Sequence, residues 1–224
     1  MANRTGGFGL RQTMTVGNTP ATGGQSEYLV QPLSTLPNAI LKGEPVGTQT
    51  TAGAHGATVG YIQSQTFAGA NDDTATGAAW TTALAASVGV FNGGYWIDPV
   101  TSTPTWSNFI PGGQTSGVDY NTGSSNILAF VNDNPNQEYT VKCDSVITNA
   151  IFGTGAYNLA VGTGLNNNGQ SVLKLDTGAA VANAMWTVVR SANTPENNDF
   201  NAATSPLGDV NVIVTYAPGA SKYA

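Results

Sequence analysis

Three features of the sequence predict an all-β protein, an antiparallel sandwich or barrel-like domain with an extended N-terminal arm. Apolar runs are short and rich in Val, Ile, Phe, Tyr and Trp, and Asn, Asp, Gly and Pro separate them, the pattern of antiparallel strands joined by tight turns. Only 9% of the 224 residues are charged and 28 are glycine. This fits a turn-rich β surface that is cheap to desolvate against neighbours, and not a disordered chain. Residues 1–26 are polar and Gly/Thr-rich, with too few large apolar side chains to order themselves. The expected division is an arm over 1–26, a β-rich domain over 27–217 and a short tail over 218–224.

The elements follow in order. Tyr28 to Leu41 contains Pro32 and Pro37, which remove ladder donors and block helix, leaving one short strand at Tyr28 to Val30. Pro45 to Thr50 and Thr58 to Gln65 read as strands. Ala78 to Ala86 places Trp80 and Leu84 four apart, a helical spacing that Thr81 and Thr82 weaken. The central stretch runs from Ser87 to Val141. Val88, Val90 and Phe91 lead into Asn92-Gly93-Gly94, and Tyr95, Trp96 and Ile97 lead out. Trp106, Phe109 and Ile110 form a further run, as do Ile127 to Val131, and Asn132-Asp133-Asn134-Pro135 turns the chain toward Tyr139 and Val141. Its aromatic content places the core here, with Tyr95, Trp96 and Trp106 packed inside. Ser145 to Ala150 and Phe152 to Val161 read as two strands, or one bent at Gly153 to Gly155. Asn166-Asn167-Asn168-Gly169 is a hairpin turn into Gln170 to Leu175. Ala184 to Arg190 is a strand, Ser191 to Leu207 a polar loop, and Asp209 to Tyr216 the closing strand. About ten strands with turns at this spacing suit a sandwich or barrel.

Charge is unevenly placed. Residues 1–26 hold Arg4 and Arg11 and no acid. Residues 27–221 hold all 13 acids against Lys42, Lys142, Lys174 and Arg190, for a net −9, and Lys222 lies in the tail. Such a body repels nucleic acid. The lone cysteine, Cys143, allows no internal disulfide. The first residues lack the apolar run of a leader, and no stretch approaches the roughly 18 apolar residues of a membrane span, so neither membrane nor secretion is expected.

Catalytic constellations are missing from the sequence pattern. His55, the one histidine, sits in Gly-Ala-His-Gly-Ala with no nucleophile motif beside it. No nucleophile elbow, phosphate-binding loop or zinc-protease motif occurs. Asn71-Asp72-Asp73 and Asn132-Asp133-Asn134 offer oxygen ligands without EF-hand spacing, and Asx turns account for them. Asp98, Asp119, Asp133 and Glu138 are the carboxylates that a fold can pair for glycoside hydrolysis. The expectation is a protein that is not an enzyme and has no cofactor or metal.

Several words of the chain carry a resemblance: V-G-V-F-x-G-G-Y-W-x-D-P from Val88, P-x-W-S-N from Pro104, and A-F-V-N-D-N-P-N-Q-E-Y from Ala129. To these are added I-F-G-T-G-A-Y-N-L from Ile151, S-A-N-T-P-E-N-N-D from Ser191, and G-G-F-G-L-R from Gly6 to Arg11. Together they span Gly6 to about Val214, and they resemble a group of β-rich virion proteins of tailed bacteriophages, the capsid decoration or cement proteins. The resemblance implies a virion structural protein that is made in the host cytoplasm and binds the outer face of the head through the major capsid protein. Matching capsid symmetry calls for a homo-oligomer, with a trimer favoured. The arm, through Arg4, Phe8, Leu10 and Arg11, is expected to lie on coat subunits, so that removing Met1 to Gln25 leaves the domain folded but unable to bind. The rival readings are a coat or tail subunit, and a carbohydrate-binding module that presents aromatics around Trp106.

Overall fold

The computed structural model of this chain describes residues 7–17, 19–20, 24–30, 39–48, 61–64, 87–98, 101–110, 127–145, 147–161, 169–178, 180, 184–194, 197 and 210–218. Among the described residues the protein is all-β, with a 3-10 turn at Asn149–Ile151 and no α-helix. The sheets are antiparallel and one curls into a half-barrel. The predicted fold class is therefore observed.

The first sheet is built on β11 (Gln137–Lys142), whose neighbours are β1 (Arg11–Thr15) on one edge and β15 (Asn211–Tyr216) on the other. β14 (Trp186–Ser191) and β2 (Thr19–Pro20) close the two outer edges. β12 (Leu159–Val161) and β13 (Leu173–Leu175) form a separate ribbon, tied to this sheet by bridges from Tyr157 to Trp186 and from Cys143 to Leu175. One cluster fills the space between them, and Trp186, Tyr139 and Tyr216 are among its largest members. Tyr139 meets the other two rings edge-on, at 5.6 and 6.3 Å between centroids, the arrangement that aromatic quadrupoles favour.

The second sheet is built on β7 (Ser87–Ile97), an 11-residue strand. β10 (Leu128–Asn132) runs along one edge of it, and β3 (Ser26–Leu29) lies outside β10. On the other edge two strands follow one another: β5 (Pro45–Thr48) pairs with Ser87 to Val90, and β8 (Pro104–Ser107) with Gly94 to Ile97. β6 (Ile62–Ser64) extends from β5, and a small ribbon of β4 (Ile40–Leu41) and β9 (Phe109–Ile110) stands beside β7. Phe91, Trp96, Ile110, Ala129 and Val131 share the second core cluster, while Val90, on the same strand, belongs to the first.

Four expectations are corrected. Asn92-Gly93-Gly94 does not turn the chain. β7 passes through it with a bulge, where Phe130 pairs with Gly93 and Val131 with Phe91, because partners on both edges hold the strand extended. Ser145 to Ala150 is no strand: Asn149–Ile151 is a 3-10 turn. The core is not confined to the central stretch, since residues beyond Val141 build most of the first cluster.

The fourth correction concerns the arm. Arg11 and Gln12 pair with Thr140 and Tyr139 of β11. The Leu10 N–H donates to the Gly43 carbonyl at 2.9 Å, that of Gly9 to Leu173 at 3.1 Å, and Leu10 is 4% exposed within the first core cluster. Residues 7–17 are thus part of the body. Their polarity misleads because β1 joins mainly through backbone hydrogen bonds, which any side chain permits. The hairpin residues Asn166 to Asn168, the stretch Ala78 to Ala86 and most of the tail lie outside the described residues.

Candidate functional site

The surface of the second sheet carries an aromatic face. Antiparallel partners project on the same side of a sheet, and the register aligns Leu128, Tyr95 and Trp106 across β10, β7 and β8. Phe130, two residues beyond Leu128, lies on that same side. Trp106 stands 68% exposed, with its ring 4.6 Å from Tyr95 and stacked on Phe130 at 5.5 Å and 11°. β8 and β10 flank β7 and so lie about 9.6 Å apart. Gly93, opposite Phe130, borders the same face and raises no side chain there.

Beside the indole lies a shallow depression of about 520 Å³, bordered by Gln25, Asn92, Ser107, Asn108, Trp106 and Phe130. None of these carries a charge. The expectation that Trp106 is a core residue is corrected, whereas Trp96, one strand position from Tyr95 and on the opposite side, is 5% exposed and packs in the second cluster. A smaller depression of about 270 Å³ adjoins the first through Gln25, and Gln12, Ser26, Asp133 and Gln137 line it.

The residues expected to bind a partner separate. Arg4 lies outside the described residues. Phe8 is half-buried, and its carbonyl accepts from Gln170 Nε2 at 3.3 Å. The Arg11 guanidinium sits 4.7 Å from the centre of the Phe8 ring, a cation–π contact, and Arg11 itself is exposed. Leu10 is in the core and cannot meet a partner. Further along the segment Met14 and Val16 are 41% and 55% exposed, beside the turn at Gly17, whose φ of 98° suits glycine. Sequence reasoning passed over this pair because it treated the whole segment as one arm.

Each candidate carboxylate among the described residues is engaged in a local contact. Glu138, 3% exposed at its side chain, is held by Arg190 through two bonds of 3.0 and 2.5 Å, a bidentate ion pair. Asp133 accepts from the Tyr28 hydroxyl at 2.7 Å. Asp98 Oδ1 accepts from the Thr101 N–H at 3.0 Å in an Asx turn, and Asp119 and His55 lie outside the described residues. Asn134 Oδ1 likewise accepts from the Asn136 N–H at 2.9 Å. Among the described residues no three His, Cys, Asp or Glu side chains converge as metal ligands. The Tyr139 hydroxyl donates to the Asn132 carbonyl at 3.3 Å. Burial foremost, then Tyr216 and Asp133, raises its pKa well above the ordinary tyrosine value.

No protein-family model matches the chain, nor does any curated protein or solved structure.

Proposed function

We propose that this protein is a virion structural protein of a tailed bacteriophage, a capsid decoration protein that binds and stabilises the head through its coat subunits. The observation that carries the reading is the pair Met14 and Val16, exposed where β1 turns into the edge strand β2 on a body with few charges. Large exposed apolar side chains favour burial against a partner. The surrounding segment carries arginines and no acids, so an acidic coat surface complements it. The family words from Gly6 to about Val214 support the same reading. A symmetric oligomer, a trimer at a capsid threefold, repeats this contact and turns several weak contacts into avidity.

The test is co-sedimentation of the purified full chain with mature, undecorated capsids of its own phage. Saturation at a copy number set by the symmetry axes is expected, with loss of binding in a Met14→Glu/Val16→Glu variant whose circular dichroism is unchanged. A chain that stays in the supernatant at every concentration removes the decoration reading, and filaments formed without capsids move it to the tail.

A further inference from the structure

We infer that the Trp106 face is a binding site for a neutral saccharide. This goes beyond the decoration reading and uses the other sheet. Three properties of the face support it.

The first is an aromatic platform held in place. Most exposed side chains change rotamer freely, but the indole of Trp106 is stacked on Phe130 at 11° and flanked by Tyr95. It offers a flat apolar surface while 68% of the residue remains exposed. The face of an indole is electron-rich. One side of a pyranose ring presents C–H groups of opposite polarity, so the two surfaces fit by shape and by electrostatics. Holding the ring beforehand lowers the ordering cost of binding.

The second is the rim. Gln25, Asn92, Asn108 and Ser107 border the depression with amides and a hydroxyl. Each both donates and accepts hydrogen bonds, which matches sugar hydroxyls, which do the same. The third is the lack of charge. Among the described residues no ionisable side chain borders this depression, and residues 27–221 carry a net −9. A phosphate, a nucleic acid strand or an acidic sugar finds no counter-charge here, whereas a neutral hexose or N-acetylhexosamine needs none. The volume of about 520 Å³ falls within the range of about 300–1,000 Å³ usual for small-molecule sites. The polar depression that continues past Gln25 gives a chain longer than one ring further groups to meet, so oligosaccharides are the fitting class.

The probes are maltohexaose, cellohexaose, chitohexaose, mannohexaose and galactohexaose, with their disaccharides, added to the full-length protein. Binding is read by calorimetry and by indole fluorescence. At least one hexaose is expected to bind, to bind more tightly than its disaccharide, and to shift the fluorescence of Trp106. Trp106→Ala weakens binding by at least about ten-fold, and Trp106→Tyr restores part of it. Asn108→Ala weakens it less. These positions are exposed, so circular dichroism and thermal midpoint should match the parent. No binding of any hexaose overturns the inference, as does binding that Trp106→Ala leaves unchanged. Loss of capsid co-sedimentation in Trp106→Ala, without saccharide binding by the parent, overturns it too and assigns the face to protein docking.

Discussion

Replacing Leu10 by alanine removes a side chain that is 4% exposed in the cluster with Tyr139, Val141 and Leu173. Truncating a buried leucine costs about 2–5 kcal/mol, through lost transfer energy and the cavity left behind. Gly9 and Leu10 are also fastened by backbone bonds to Leu173 and Gly43, so the neighbouring chain cannot easily collapse into the gap, and a loss of about 3 kcal/mol is expected. The assay is equilibrium urea unfolding of the full chain, followed by tryptophan fluorescence. With a denaturant slope of about 3 kcal/mol per molar, the midpoint falls by about 1 M. Met14→Ala is the control on the same segment: at 41% exposure it should stay within about 0.5 kcal/mol of the parent. If Leu10→Ala also stays within that margin, the N-terminal segment is an arm and its placement in the core is wrong. The same placement predicts that deleting Met1 to Gln25 unfolds the protein instead of merely detaching it from a partner, because β11 loses its neighbour β1.

Three further outcomes are expected. Arg190→Ala leaves the Glu138 carboxylate buried without its bidentate partner and should lower stability by about 1–3 kcal/mol in the same urea assay. Tyr139 holds its proton more tightly folded than unfolded, chiefly because it is buried. That contribution is complete below the ordinary tyrosine value of about 10 and is lost as pH rises above it, by up to about 1.4 kcal/mol per pH unit. Tyr139→Phe should flatten the alkaline limb of a stability–pH profile, and an unchanged slope would refute the assignment. Gly94→Ala places a Cβ 2.7 Å from Ile110 Cγ1 and should cost about 1–3 kcal/mol by overpacking, read as a drop in thermal midpoint.

The all-β class was legible because short β-branched and aromatic runs are a local signal. Trp186, Val188, Val212 and Val214 alternate as a half-buried strand must, and they are buried. Burial across the chain was not legible where backbone pairing or distant partners decide it. Arg11 to Thr15 carries no strand-like apolar alternation, yet it lies beside β11, more than 120 residues away in sequence. Leu10 looks like one apolar residue in a polar segment until β13 and the β4 end arrive over it. The Asn197 side chain shows the same in the long polar loop: it donates to the carbonyls of Ala192 and Asn211 and accepts from the Asn211 N–H, which no local pattern announces.

The candidate site was half legible for a related reason. Tyr95, Trp96 and Trp106 stand close in sequence, and strand alternation alone puts Tyr95 and Trp96 on opposite sides. Which side is the core depends on what packs beneath. Ile110 presses against the Gly94 position, where a Cβ would meet its Cγ1 at 2.7 Å, and that contact marks the inner side of β7. Gly93 then opens outward, opposite Phe130. Gly94 therefore admits the core side chain, while Gly93 borders the outer face beside Trp106 and Phe130. The dipeptide that reads as a turn from the sequence instead lies in an extended strand with a packed face and an exposed aromatic face. The φ of 158° at Gly93 disfavours any side chain, and a Cβ there would meet only the Ser107 carbonyl, at 3.3 Å, so Gly93→Ala should lower the urea midpoint through backbone strain, where Gly94→Ala lowers it by crowding Ile110.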